Sequence, residues 1–240
     1  MKPTIAGRNV LLTGATGGIG EELAHHLARL GCNLFLTSTS PKSLEYLSQT
    51  LRSTSSEISV DCETAALEKP EDRVNLIKRV KDTFEKIDIL INCAGIFEVK
   101  SLADSSELDY EKCFDVNVRA PFALCKEFSV DMINQQWGKI INIGSSSSYA
   151  GFRNTSLYCA SKHALLGLSR SLYEELKPHN VRVYCFSPGS VQTEMGKLVE
   201  GQDFNTFIKA DELAEYICYS ILSNSNMIAQ EVRINRLNTQ

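Results

Sequence analysis

The chain has 240 residues and a formal net charge of −4 with both signs interspersed. That length can bury a sizeable core in one α/β unit, and the charge leaves no footprint for nucleic acid. No run of about 18 apolar residues occurs, so no membrane span is expected.

Met1 to Thr4 lead almost at once into the first strand, and no signal peptide is expected there. Residues 9–13 read as that strand, short and buried. Gly14, Ala15, Thr16, Gly17, Gly18, Ile19 and Gly20 follow. Ile19, Leu23, Leu27 and Leu30 then recur at helical spacing until Gly31. A strand, a glycine turn and a helix start make an anion site. Missing side chains let the backbone approach a pyrophosphate, and free N–H groups with the helix dipole favour its charge. The bland alternative is an ordinary glycine-rich turn.

Residues 33–37 read as a second strand, 41–51 as a helix and 57–60 as a third strand. Pro70 opens a helix to about residue 85, as proline suits a first turn. Residues 87–91 form a buried fourth strand ending at Asn92. Residues 108–133 look mainly helical, and 139–143 are a fifth strand. A helix at 156–176 precedes a sixth strand at 181–186, stopped by Pro188-Gly189. A helix at 211–222 and a strand at 231–234 complete the chain. This alternation predicts an α/β fold: one Rossmann-type doubly wound parallel sheet with helices on both faces, in a single domain over 1–240. The singled-out residues Gly14, Asn92, Ser145 and Pro188 all fall at carboxyl ends of strands, where such sheets bind ligands.

Tyr158 and Lys162 lie four apart, hence on one helix face a turn apart. An ammonium beside a phenol stabilises the phenolate, so the Tyr158 pKa is expected to fall. Ser145, thirteen residues upstream, can hold a carbonyl oxygen against that phenol. Such a set moves a proton on or off an alcohol oxygen. The eight cysteines form no CxxC pair, which suits buried thiols in a reducing cytoplasm. His25, His26 and His163 lack metal-like spacing, so no metal is expected.

Six motifs occur in order. They are Thr13-Gly14-x-x-x-Gly18-x-Gly20, Asn92-Cys93-Ala94-Gly95, Asn117 in Asp115-Val116-Asn117-Val118, Ser145, Tyr158-x-x-x-Lys162, and Pro188-Gly189-x-x-x-Thr193. Over nearly its whole length the chain resembles the short-chain dehydrogenase/reductase family, classical branch. The resemblance implies an NAD(P)-dependent oxidoreductase in which Tyr158 is general acid or base. Lys162 would lower its pKa and hold the nicotinamide ribose. Ser145 would position the substrate oxygen, and Asn117 would support a water that relays protons from Lys162. Gly14, Thr16, Gly18, Ile19 and Gly20 would cradle the cofactor. Asn92, Ala94 and Gly95 would line its adenosine side. Pro188, Gly189, Val191 and Thr193 would flank the nicotinamide. Gly17 also allows the spacing Gly14-x-x-Gly17-x-x-Gly20 of the extended branch, whose members are longer.

Departures from the family pattern sharpen the expectations. After the second strand no acid stands ready for the 2′-hydroxyl of NAD. Ser38, Thr39 and Ser40, with Lys42 nearby, suit a 2′-phosphate, so NADP(H) is preferred over NAD(H). The usual adenine-binding Asp is replaced by Ala66, which leaves the Leu67 backbone. The C-terminal glycine pair is missing. The substrate is expected to be a small carbonyl compound or secondary alcohol, in a partly apolar pocket of Ser145, Tyr149, Phe152, Tyr158 and Gly189 bordered by Phe97. A short lid would span 194–209. The helical regions 108–133 and 156–176 would pair copies as a homodimer or homotetramer. Two alternatives stay open. One is a 3-oxoacyl carrier-protein reductase, disfavoured by Val130 and Glu174 where an acidic carrier would need cations. The other is a non-catalytic NADP(H) sensor.

Overall fold

The computed structural model describes residues 5–54, 57–199 and 201–237. Seven strands form one sheet in the order β3-β2-β1-β4-β5-β6-β7, parallel throughout. They are β1 (Asn9–Thr13), β2 (Asn33–Ser38), β3 (Val60–Thr64), β4 (Ile89–Asn92), β5 (Gly138–Ile143), β6 (Val181–Pro188) and β7 (Glu231–Ile234). The helices are α1 (Gly18–Arg29), α2 (Pro41–Thr54), α3 (Pro70–Thr83), α4 (Glu107–Phe114), α5 (Ala120–Asn134), α6 (Ser156–Leu176) and α7 (Ala210–Leu222). The chain builds outward from β1 to β3, then crosses to β4 on the other side. This puts the topological switch between β1 and β4, where open α/β sheets bind ligands.

Consecutive strand residues face opposite sides of the sheet. Leu12, Ile91 and Ile141 pack with Leu23, Leu27 and Ile217 of α1 and α7. Leu11, Leu90 and Ile140 pack with Leu76, Phe128 and Leu176 of α3, α5 and α6. Both faces are covered, so the central strands are continuous apolar runs rather than alternating ones.

Two expected elements differ. The third strand is Val60–Thr64, not 57–60. It is an edge strand that buries only Val60 fully and carries Asp61 and Glu63, and charged edge positions hide a strand from a search for apolar runs. The helical region 108–133 is broken. Between α4 and α5, residues Asp115–Arg119 form one wider π turn. The segment after β6 folds back on itself, since Gln192 N–H donates to the Ile208 carbonyl at 2.8 Å and Ile208 N–H to that of Ser190 at 3.0 Å. The expected lid at 194–209 is therefore pinned at its base; Glu200 within it, like Met1 to Thr4, lies outside the described residues. Among the described residues no helix is long and apolar enough to cross a membrane.

Candidate active site

The glycine turn is built by close approach. Gly14 has φ +65°, and a Cβ there would meet Ala94 Cα at 2.7 Å. A Cβ on Gly20 would lie 2.1 Å from the Gly14 carbonyl oxygen, and one on Gly18 2.6 Å from Thr193 Cγ2. Gly17 is exposed, its nearest such contact 3.3 Å. The constrained glycines are thus 14, 18 and 20, the first of the two spacings. Gly17 caps α1 in an extended conformation with no side-chain bond, leaving the first N–H groups of the helix available to an anion. The neighbouring strand end is fastened by Thr13. Its hydroxyl accepts from the N–H groups of Cys93 and Ala94, each at 3.1 Å.

Tyr158 and Lys162 face inward from the first turns of α6. Lys162 is buried, and its ammonium donates to the Ile143 carbonyl at 2.8 Å. Burial lowers its pKa. Tyr158 packs edge-on against Phe97, with centroids 4.7 Å apart. Its phenol is pushed up to about 12, chiefly by burial, while a hydrogen bond with the Ser145 side chain pulls the other way. The fall expected from Lys162 is not seen in the protein alone. The ammonium lies 5.7 Å from the ring centroid and is held by a backbone carbonyl, and desolvation of the phenolate dominates. Ser145 ends β5. Its hydroxyl also accepts from the Ser147 N–H at 3.1 Å, capping a short 3₁₀ turn.

Asn117 sits in the π turn, fully buried. Its amide oxygen accepts from Ile96 N–H at 2.9 Å, and its nitrogen donates to the Ile96 carbonyl and the Ser161 hydroxyl, each at 3.0 Å. Ser161 in turn donates to the Tyr158 carbonyl at 2.8 Å. Pro121 follows four residues after Asn117 and has no N–H, so it cannot donate to the Asn117 carbonyl as an ordinary α-helical residue would.

One cavity of about 990 Å³ runs along the carboxyl edge of the sheet. It is lined by Gly14, Thr16, Gly18, Ile19 and Gly20 at the turn, and by Ser38, Thr39 and Leu67 toward β2 and β3. Ala94, Gly95, Ser145, Tyr158 and Lys162 follow, then Pro188, Gly189, Val191 and Thr193. Two expected residues stand behind its wall. Asn117 is bonded to Ile96, which lines the cavity, and to Ser161, as above. Asn92 belongs to a buried polar row, donating to Asn142 at 2.8 Å, which donates to Ser169 at 2.9 Å. Phe97, Phe152 and Gly189 line the cavity as expected, whereas Tyr149 does not. Its hydroxyl donates to Glu231 at 3.1 Å, and Arg233 lies over its ring at 4.4 Å, so charge neighbours on β7 have drawn it away. Thr37, Cys93 and Glu68 also line the cavity, without a sequence signal of their own. Ala66 N–H is taken by Asp72 at 2.8 Å and the Leu67 carbonyl by Arg73 at 2.6 Å, leaving the buried Leu67 side chain to face the site.

A dinucleotide fits these residues. Gly14 and Gly18 bring backbone to the cavity at positions where any Cβ would collide with Ala94 or Thr193, and beside them the buried Thr37 hydroxyl has no hydrogen-bond partner among the described residues. Proteins in which such a cradle meets a Ser-Tyr-Lys group at the sheet switch are dinucleotide oxidoreductases. Comparison with known proteins is narrower: the short chain dehydrogenase model matches residues 8–203, and the chain belongs to that family. It is 34% identical over 197 residues to the 3-oxoacyl-acyl-carrier-protein reductase of Rickettsia typhi, covering 82% of this chain and 78% of that one. Its structure is similar to a metagenomic short-chain oxidoreductase in complex with NADP (TM-score 0.85, 26% identity, 98% and 99% of the two chains). It is also similar to a short-chain dehydrogenase from Sphingobium yanoikuyae in complex with NADPH (TM-score 0.84, 28% identity, 95% and 87%).

Proposed function

We propose that the protein is an NADP(H)-dependent oxidoreductase that interconverts a carbonyl compound and a secondary alcohol. The observation that carries this reading is the meeting of Ser145, Tyr158 and Lys162 on one wall of the glycine-cradled cavity. The nicotinamide supplies or accepts the hydride. Ser145 donates to the substrate oxygen and orients it. Tyr158 gives its hydroxyl proton to that oxygen in reduction and takes one in oxidation. Lys162 holds positive charge beneath the site, and the Asn117 carbonyl, to which Pro121 cannot donate, is a place for a relaying water. NADP(H) is favoured by Thr37, Ser38 and Thr39 at the β2 end, with no acid among them, and by the similar chains in complex with NADP and NADPH.

The segment 194–209 would act as lid over one domain. Exposed Leu108, Phe122 and Val130 on α4 and α5 suit a homodimer or homotetramer. Free cysteines at all eight positions suit a reducing cytoplasm. Carrier-protein reduction is the second reading, on the strength of the Rickettsia relative. Glu174, already paired to Lys177 at 2.5 Å, argues against an acidic carrier there.

Tyr158→Phe tests the reading. Turnover of a carbonyl panel with NADPH should drop by about 10² to 10⁴, while quenching of protein fluorescence by NADPH persists. Unchanged turnover in that variant would sink the assignment. NADPH binding without turnover by the native protein on any carbonyl would mark a sensor instead.

A further inference from the structure

Charge at the substrate end of the cavity is unbalanced. Besides Lys162, the cations lining it are Arg153 and Lys112. Arg153 stands in the loop entering α6, five residues before Tyr158. That loop is tied to the segment after β4, because Lys100 N–H donates to the Asn154 carbonyl at 2.7 Å. Phe97 of the same segment packs on Tyr158. Arg153 therefore belongs to the catalytic end, away from the Ser38 end.

The acids that should neutralise these cations are engaged elsewhere. Asp109, a turn before Lys112 on α4, holds Lys100 at 2.5 Å. Asp115, a turn after it, holds Arg119 at 2.6 Å. Glu98 and Asp104 also act on Lys100. Glu194, across the cavity, pairs with Lys197 at 2.5 Å. Arg153 and Lys112 are exposed at the cavity rim, and among the described residues they have neither an ion pair nor a side-chain hydrogen bond. Phe97, Phe152 and Leu198 supply apolar surface to the same cavity, beside the polar Ser146, Asn154 and Thr155. A guanidinium is a planar fork of donors matched to carboxylate and phosphate. A fork free at the exposed rim of the cavity, beside apolar surface, suits an amphipathic ligand with one charged end.

We infer that the carbonyl substrate carries an anionic group, carboxylate or phosphate, which Arg153 clamps with Lys112 in support while the reacting carbonyl lies at Tyr158 and Ser145. This rests on the oxidoreductase reading and narrows its substrate class to acidic carbonyl compounds.

The test compares levulinate with its methyl ester, and a 3-oxoacyl thioester of coenzyme A as the phosphate-bearing source, all with NADPH. The native enzyme should prefer an anionic member of the set. Arg153→Gln should lower the acid-to-ester ratio of kcat/KM by about ten- to a hundredfold, the weight of one charge-assisted contact, and Arg153→Lys should restore part of it. If the thioester alone responds to Arg153, the anion is a phosphate. An unchanged ratio in Arg153→Gln, or a native preference for the ester, overturns the inference. Calorimetric binding of the same compounds to the NADP-loaded protein separates the two claims. Arg153-dependent binding without turnover would leave the anion clamp standing and defeat the oxidoreductase reading. Turnover with no preference for charge would do the reverse.

Discussion

At the scale of single residues the phenol of Tyr158 carries a pH prediction. Burial pushes it up to about 12, so the protonated form predominates at every pH below that. Reduction uses the protonated phenol, and its kcat should be flat between about pH 6 and about pH 9. Oxidation uses the phenolate, whose fraction grows about tenfold per pH unit below the pKa, so its kcat should climb through the same range. Parallel initial-rate profiles in the two directions check this. A plateau of oxidation near neutrality would show that the pull of Lys162, expected from a spacing of four, is exerted only in the cofactor complex. The spacing put the two side chains on one face; it could not say that the ammonium is held by the Ile143 carbonyl. Ser161 was less legible still. It lies inside the Tyr158–Lys162 motif, yet its link to Asn117 spans 44 residues. Ser161→Ala removes one neutral bond from that chain. It should cost about 1 kcal/mol in kcat, roughly fivefold, with KM little changed, and Ser161→Thr should recover part of the loss. Equal kcat in Ser161→Ala would mean that Asn117 is oriented by Ile96 alone.

Elements carry their own constraints. Continuous apolar strand runs, apolar residues at helical spacing and glycine stops made nearly every helix and central strand readable, because both sheet faces are covered. The edge strand β3 escaped because it buries little, and the π turn escaped because a helix one residue wider has the same composition as an ordinary one. Neither feature leaves a periodic trace, although Pro121 at the start of α5 hints at the second. Buried Lys139 was also invisible as an anchor. From β5 it donates to the carbonyls of Ile221 and Ser223, the latter at 2.9 Å, at the end of α7. Those carbonyls have no helical donor. Lys139→Met would orphan both and should destabilise the protein by about 2–4 kcal/mol, seen as a lower urea midpoint. Burial first, then Arg182 and Arg8, brings the Lys139 ammonium down to about 7. Between that value and its ordinary 10.5 the unfolded chain binds the extra proton, so this residue makes stability rise with pH across the window. The rise should be smaller in Lys139→Met.

The whole molecule is two half-sheets joined along β1 and β4, and the cavity runs across that join. Thr37, Thr13, Asn92 and Asn142 sit in register on β2, β1, β4 and β5, forming a polar row from the β2 end of the sheet edge toward β5. A ligand filling the glycine cradle, the β2 end and the Tyr158 wall touches both halves at once and binds only when they are assembled. Cofactor binding should therefore appear as global stability. At a hundredfold excess over Kd the gain is about 2.7 kcal/mol, which for a chain of this size raises Tm by about 5–10 °C. Thermal unfolding with matched concentrations of NADPH and NADH then ranks the two. NADPH should give the larger rise, because Ser38 and Thr39 offer hydroxyls and no acid at the 2′ position. Ser38→Asp should place a carboxylate against the 2′-phosphate, shrink the NADPH rise and leave that of NADH equal or larger. If Ser38→Asp leaves both rises untouched, the β2 end does not reach the ribose, and the cofactor preference must be set elsewhere along the cavity, with Glu68 the nearest charged group lining that end.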